Sequence, residues 1–280
     1  MAWSRPERGG RVEADVNRRE PVFAFGRNWR RFLAHLNEER VRDAEASLRV
    51  MLDRADLDGA SFLDIGSGSG LFSLAARRLG ARVRSLDVDP ESVACTRALR
   101  ARFFPDDPGW VVEQGSALDR PYIERLGRFD IVYSWGVLHH TGDMWRALDN
   151  AAGPVAQGGQ LFIAIYNDQG LLSRYWSAVK RLYNRNSAAR WILLGLHAPY
   201  YVALRALVRR LRGAAAPERG MTLWYDLKDW LGGYPFEVAT PAKVVDFHRD
   251  RGFVLTRIRT CGGRHGCNEF VFRRTGGDVP

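Results

Sequence analysis

Phe62-Leu-Asp-Ile-Gly-Ser-Gly-Ser-Gly70 constrains the fold more than any other segment of this 280-residue chain. A short apolar run over 61–65 ends in three alternating glycines, and an amphipathic stretch over 71–78 follows. Glycines in such a loop let a ligand approach the backbone, and the helix behind them directs its first N–H groups at it. The next apolar run, 81–86, ends at Asp87, 17 residues after Gly70. A carboxylate there accepts both hydroxyls of a ribose. The spacing is Gly-x-Gly-x-Gly rather than the Gly-x-Gly-x-x-Gly of a dinucleotide site, and no Gly-Lys-Ser/Thr follows to make a phosphate-cradling loop.

The pattern continues as an alternation. It predicts a helix over 90–102, with Asp89 as N-cap and Pro90 first, and a strand over 110–113. Strands over 129–134 and 160–165 flank a helix over 143–152, the last strand following a Gly158-Gly159 turn. Five strands alternating with helices predict an α/β fold whose parallel sheet is covered on both faces. Apolar residues from Trp29 to Leu52 recur near helical spacing, so residues 1–55 form a helical extension. The core runs over 56–168. A helical insert covers 169–235. Residues 236–280 hold a last helix and two strands joined by Cys261-Gly-Gly-Arg-His-Gly-Cys267.

The chain carries 42 Lys+Arg against 32 Asp+Glu, a formal charge of +10, and 46% hydrophobic residues exclude a disordered chain. Residues 171–220 hold ten of those basic side chains and one acid, Glu218, so the remainder is almost balanced. In the insert, Leu171, Leu172, Tyr175, Trp176, Val179, Leu182 and Tyr183 make one apolar stripe. Leu204, Leu207, Val208 and Leu211 make another, opposite Arg205, Arg209 and Arg212. Three cysteines suit a reducing cytoplasm, and the first ten residues lack the apolar core of a signal peptide. Trp191–Leu204 is apolar but has 14 residues, where a membrane span needs about 20.

With these residues in register, the chain resembles the class I S-adenosylmethionine-dependent methyltransferases. Asp64-x-Gly66-Ser67-Gly68-x-Gly70 resembles that family's first motif. The resemblance implies that Asp87 binds the ribose, that Val88 packs on the adenine, and that Ser116 and Ala117 read the adenine edge. Phe129–His140, with Ser134 and Trp135, resembles the fourth strand and its loop, which also faces the cofactor. The implied fold is a doubly wound, seven-stranded, mostly parallel Rossmann-like sheet, strand six parallel and strand seven reversed. The implied cofactor is S-adenosylmethionine, with S-adenosylhomocysteine as product. Val-Leu-His-His140 and, faintly, the segment from Trp29 to Arg40 are most similar to the ubiquinone O-methyltransferase group. Tyr166–Gly170 and Trp230–Glu237 resemble a different bacterial subgroup, so no substrate carries over.

Methyl transfer from a sulfonium requires alignment, and an alcohol or phenol acceptor requires a base as well. His140 is the first candidate base and His139 the second, because histidine titrates near neutrality. Tyr166 and Asn167 would hold an acceptor hydroxyl or carbonyl, and Trp135 or Tyr133 would face the sulfonium or a flat ring. Tyr234, Glu237, Arg264 and His265 are candidate substrate contacts. Cys261, His265 and Cys267 lack zinc-ribbon spacing and a fourth ligand, so no metal is expected.

The insert admits three readings: a substrate lid with solvated arginines, a peripheral contact with an anionic inner-membrane face through Trp176, Trp191, Tyr200 and Tyr201, or a contact with RNA phosphates. The leading expectation is a methyltransferase for a small apolar or anionic acceptor, at oxygen. The alternatives are an RNA-modifying methyltransferase and a non-catalytic cofactor-binding regulator.

Overall fold

The computed structural model describes residues 36–199, 227, 230–263 and 266–275. Helix α1 (Glu38–Leu52) starts on Asn37, whose side chain accepts the Arg40 N–H, and ends at Asp53 with φ 56°. It buries Val41, Ala44, Leu48, Met51 and Leu52, one helical face. The upstream part of the expected extension, Trp29 included, lies outside the described residues.

The core then alternates through β1 (Ser61–Ile65), α2 (Leu71–Arg78), β2 (Arg82–Asp87), α3 (Pro90–Phe103), β3 (Trp110–Gln114), α4 (Arg120–Arg125), β4 (Phe129–Trp135), α5 (Met144–Ala152) and β5 (Val155–Tyr166). Insert helices α6 (Leu171–Arg185) and α7 (Ser187–Ala198) follow. Helix α8 (Pro241–Arg249) then leads into the hairpin β6 (Phe253–Arg259) and β7 (Cys267–Arg274). The expected cap on α3 forms, Asp89 accepting the Glu91 N–H with Pro90 in the first turn, and Asp143 caps α5 by accepting the Arg146 N–H.

The seven strands lie in the order β3-β2-β1-β4-β5-β7-β6. The strands β1 to β5 pair in parallel, and β7 runs antiparallel to both β5 and β6. This is the expected doubly wound sheet. Its strand order reverses between β1 and β4, which opens a crevice at their carboxyl ends. Alternate residues face opposite layers. Phe62, Ile131, Tyr133, Phe162 and Val271 pack with α1, α2 and α3, while Leu63, Val132, Ile163, Phe270 and Phe272 pack with α5 and α8. Gln160 fastens α1 beneath the sheet: it donates to the Leu52 carbonyl at 3.0 Å and accepts from Arg54 at 2.9 Å.

Three local expectations change. Strand β5 begins at Val155, because the glycines form an irregularity inside the strand. Gly158 has φ 73°, and the register against β4 shifts between Phe129 and Ile131. Helix α4 was not expected, since six residues are too few to show a period. The stripe on α6 is also rotated. Ser173, Val179, Lys180 and Tyr183 are buried, while Leu171, Leu172, Tyr175 and Leu182 are exposed. The second insert stripe, its arginines and most of the helix expected over 222–231 lie outside the described residues. Among the described residues no helix is long and apolar enough to cross a membrane.

Candidate active site

Two groups of residues meet at the carboxyl edge of the sheet. The first is the glycine loop. Gly66, Gly68 and Gly70 have φ of 81°, 55° and 81°, conformations that side chains resist. The Gly66 and Ser67 N–H groups both donate to the Leu86 carbonyl, at 2.8 and 3.0 Å, which docks the loop on β2. Asp87 ends β2, and its carboxylate accepts the Gly68 N–H at 3.0 Å and the Asp89 N–H at 2.9 Å. Burial raises its pKa, and those two N–H groups oppose the rise. Val88, next in the chain, is 62% exposed, an apolar side chain at the lip of the cleft. Ser67 and Thr96 share a hydrogen bond at 3.1 Å, and Thr96 also donates to the Gly68 carbonyl at 3.3 Å.

Gly66 is the tightest point. A Cβ there would lie 2.4 Å from a Val137 methyl, at a φ that is strained for alanine. Gly66→Ala therefore costs at least about 1–2 kcal/mol from backbone conformation, before Val137 is displaced. Thermal unfolding of the variant is expected to shift down by several degrees, with part of the loss recovered in Gly66→Ala/Val137→Ala. An unshifted transition would show that the loop relaxes freely.

Asp64 and Ser134, expected at the cofactor, face inward and bond behind the loop instead. Asp64 is 2% exposed and points inward. A donor chain runs from Trp110 Nε1 to Ser85 (2.8 Å), from Ser85 to Ser73 (2.7 Å) and from Ser73 to Asp64 (2.5 Å). Ser73 spends its one hydroxyl hydrogen on Asp64, so Ser85 is the donor in the bond between the two serines. Burial lifts the Asp64 pKa to about 7, against the Ser73 hydrogen bond. Ser134 is fully buried and donates to the Ile65 carbonyl at 2.8 Å. The Ser116 hydroxyl accepts the Leu118 N–H at 3.1 Å, and Ala117 is 9% exposed beside it. Trp135, half-buried at the end of β4, donates to Glu269 at 3.2 Å. Tyr133 is a core residue, stacked on Phe72 with centroids 5.0 Å apart.

The second group is aromatic and basic. A 3₁₀ turn over Leu138–His140 follows β4 and sets His139 and His140 side by side, with ring centroids 4.5 Å apart. Tyr166, at the end of β5, lies 4.0 Å from the His139 ring and 5.5 Å from that of His140. Phe236 packs on Tyr166 at 5.2 Å, and Trp230 stands edge-on to it at 6.0 Å. The segment carrying those two rings is fastened to the edge by three bonds: Glu237 N–H to the His139 carbonyl, Ala239 N–H to the Tyr166 carbonyl, and His140 Nδ1–H to the Pro235 carbonyl at 2.6 Å.

The two histidines are not equivalent. His139 has no exposed surface, and its Nδ1 accepts the Tyr166 N–H at 3.3 Å, so it ties the turn to β5. The expectation of His139 as a second base gives way to this bracing position. His140 is half-buried, and its bond to Pro235 puts the proton on Nδ1 and the lone pair on Nε2. Burial pulls its pKa down to about 4, with the Lys180 charge adding to the fall and Pro235 opposing it. It is therefore neutral at pH 7.

The remaining assignments divide. Asn167 is at the edge, where its side chain accepts from Asn268 at 3.0 Å and its N–H donates to the Gly266 carbonyl. Glu237 is turned away: its carboxylate takes the Met144 N–H at 3.0 Å and caps α5, with burial raising its pKa. Tyr234 is 8% exposed and lines a cavity of about 500 Å³ with Arg174, Ser177, Ala178 and Arg181. Arg264 and His265 lie outside the described residues. Sequence reasoning missed Trp230, Phe236 and Lys180, which complete the aromatic group. Among the described residues no cluster of His, Cys, Asp and Glu is arranged to hold a metal.

The sheet order, the glycine loop and the acid at the tip of β2 match the arrangement implied by the resemblance to class I S-adenosylmethionine-dependent methyltransferases. Residues 63–163 match the methyltransferase domain family. The chain is 35% identical over 116 residues to a ubiquinone biosynthesis O-methyltransferase of Xanthomonas oryzae pv. oryzae, covering 41% of this chain and 46% of that one. A homologue of the same description from a Methylobacterium species is 32% identical over 129 residues, 45% of this chain and 50% of its own. The chain thus spans about half the length of the curated relatives it matches. Magnesium protoporphyrin IX methyltransferase from Synechocystis shares the fold with a TM-score of 0.53 at 13% identity, covering 89% of this chain and 94% of that one. An O-methyltransferase family protein from Burkholderia thailandensis does so with 0.55 at 15%, covering 91% and 62%.

Proposed function

We propose that this protein transfers a methyl group from S-adenosylmethionine to an oxygen of a small acceptor, with His140 as the general base. The observation that carries the reading is the shared edge: the Asp87 cradle and the His140–Tyr166 group flank the same crevice between β1 and β4. Asp87 has the position and carboxylate to take the ribose hydroxyls, and exposed Val88 offers the apolar surface an adenine covers. The first N–H groups of α2 offer positive ends to the carboxylate of the amino-acid moiety.

The acceptor oxygen forms a C–O bond as the C–S bond of the sulfonium breaks, and the electron pair leaves on sulfur to give S-adenosylhomocysteine. His140 Nε2 takes the acceptor's proton. Its low pKa makes it a weak base, which suits a phenolic or enolic hydroxyl better than an aliphatic alcohol. Tyr166 and Phe236 supply flat apolar surface beside it. The relatives' description as O-methyltransferases supports the choice of oxygen. Calorimetric titration with S-adenosylhomocysteine tests the cofactor half of the reading. One site per chain is expected, and an absence of binding would overturn it.

A further inference from the structure

The insert brings a lysine to the edge where the histidines stand. Lys180, on α6, is 1% exposed, and among the described residues its ammonium donates only to the Trp230 carbonyl. An ammonium carries three N–H donors, so two of them meet no acceptor among those residues. The charge stands 4.1 Å from the Trp230 ring centroid and 4.9 Å from that of Phe236. Aromatic faces attract a cation without neutralising it.

No carboxylate among the described residues pairs with Lys180. Among the described residues, His139 and His140, from the turn after β4, both feel its charge. Burial alone lowers its own pKa to about 7. Asn184, one turn along α6, donates to the Gly232 carbonyl at 2.9 Å and holds the helix against the Trp230–Phe236 segment. The position is therefore built, apolar and cationic, and an anion completes it.

We propose that Lys180 is a substrate-binding residue that holds the ionised oxygen of the methyl acceptor, which makes the acceptor an oxygen acid such as a phenol, an enol or a carboxylic acid. This rests on the methyltransferase reading above and narrows its substrate class. The acceptor's proton passes to His140 Nε2, and the ammonium holds the resulting oxyanion until it attacks the methyl carbon. The C–O bond forms, the C–S bond breaks with its electron pair going to sulfur, and the oxygen is left as a neutral ether or ester. An uncharged oxygen binds an ammonium less strongly, so transfer itself loosens the product. The insert on this account is part of the acceptor site.

The test uses 4-nitrophenol, whose ionised form absorbs visible light, added to the full-length protein saturated with S-adenosylhomocysteine. Wild type is expected to bind the phenolate and shift the probe's ionisation to lower pH. Lys180→Met is expected to bind it about tenfold to a hundredfold more weakly and without the shift. Lys180→Arg keeps the charge and is expected to retain the shift. Both variants should keep wild-type affinity for S-adenosylhomocysteine. Benzoate supplies a measurement that needs no variant: its affinity for wild type should fall about tenfold or more from about pH 6 to about pH 9, as Lys180 loses its proton. An unmoved ionisation in wild type, an equal shift in Lys180→Met, or a flat benzoate profile would each overturn the proposal. Failure of wild type to bind S-adenosylhomocysteine would overturn the methyltransferase reading instead.

Discussion

Asp87→Ala is expected to bind S-adenosylhomocysteine about a hundredfold more weakly than wild type, or worse. Two hydrogen bonds from ribose hydroxyls to a carboxylate are lost, each contributing about 1.5–3 kcal/mol. The same carboxylate also holds the Gly68 and Asp89 N–H groups, so the truncation loosens the glycine loop. The loop remains docked through the Leu86 carbonyl, and α2 and α3 pack without Asp87, so the variant should fold. Calorimetry on wild type and variant reads the difference directly. Equal affinities would place the ribose elsewhere and remove the main support for the cofactor cradle.

His140→Ala is expected to leave that affinity near wild type and to slow turnover about a hundredfold or more, the usual contribution of a general base. Its pKa of about 4 sets the pH dependence. The reactive form is the neutral imidazole, which predominates above that value. On the acid side the wild-type rate should therefore hold below neutral pH and fall as acid protonates the ring near pH 4. In the variant that acid limb should vanish. Retained turnover with an unchanged limb would assign the base to another group. The loss of the Pro235 contact is the structural cost of this substitution, and the S-adenosylhomocysteine affinity shows whether the edge survives it.

Much of the core was legible because each element carried a local cause. Asp89 with Pro90 starts α3, and alternating glycines end β1. What escaped depended on tertiary context. Gly158-Gly159 has the composition of a turn, yet β5 runs through it because β4 absorbs a register shift. Helix α4 is too short to print a period.

The site divides along the same line. Asp87, Gly68 and Val88 stand at the carboxyl edge, as a loop at a strand end must. Asp64 and Ser134 share its motifs, yet face inward on their strands and hold the cradle from behind. Glu237 was read as a substrate contact because it stands among aromatics, but its carboxylate is spent on the first turn of α5.

Lys180 was counted with the arginines of a basic insert, although Arg174, Arg181, Arg185 and Arg190 are exposed and Lys180 is not. Its spacing carried a signal: it lies four residues after Trp176 and three before Tyr183, on the face that meets the site. The expected stripe held Val179 and Tyr183, which are buried, together with Leu171, Leu172, Tyr175 and Leu182, which are exposed. On α7, Trp191, Ile192 and Leu196 are exposed.

Methyl-labelled S-adenosylmethionine, incubated with the full chain and a fractionated cell extract, tests the central claim most directly. Label is expected in a small extractable compound, attached through oxygen, with no transfer by Asp87→Ala. Label in RNA or protein, label on nitrogen, or no transfer by a chain that binds S-adenosylhomocysteine would contradict it.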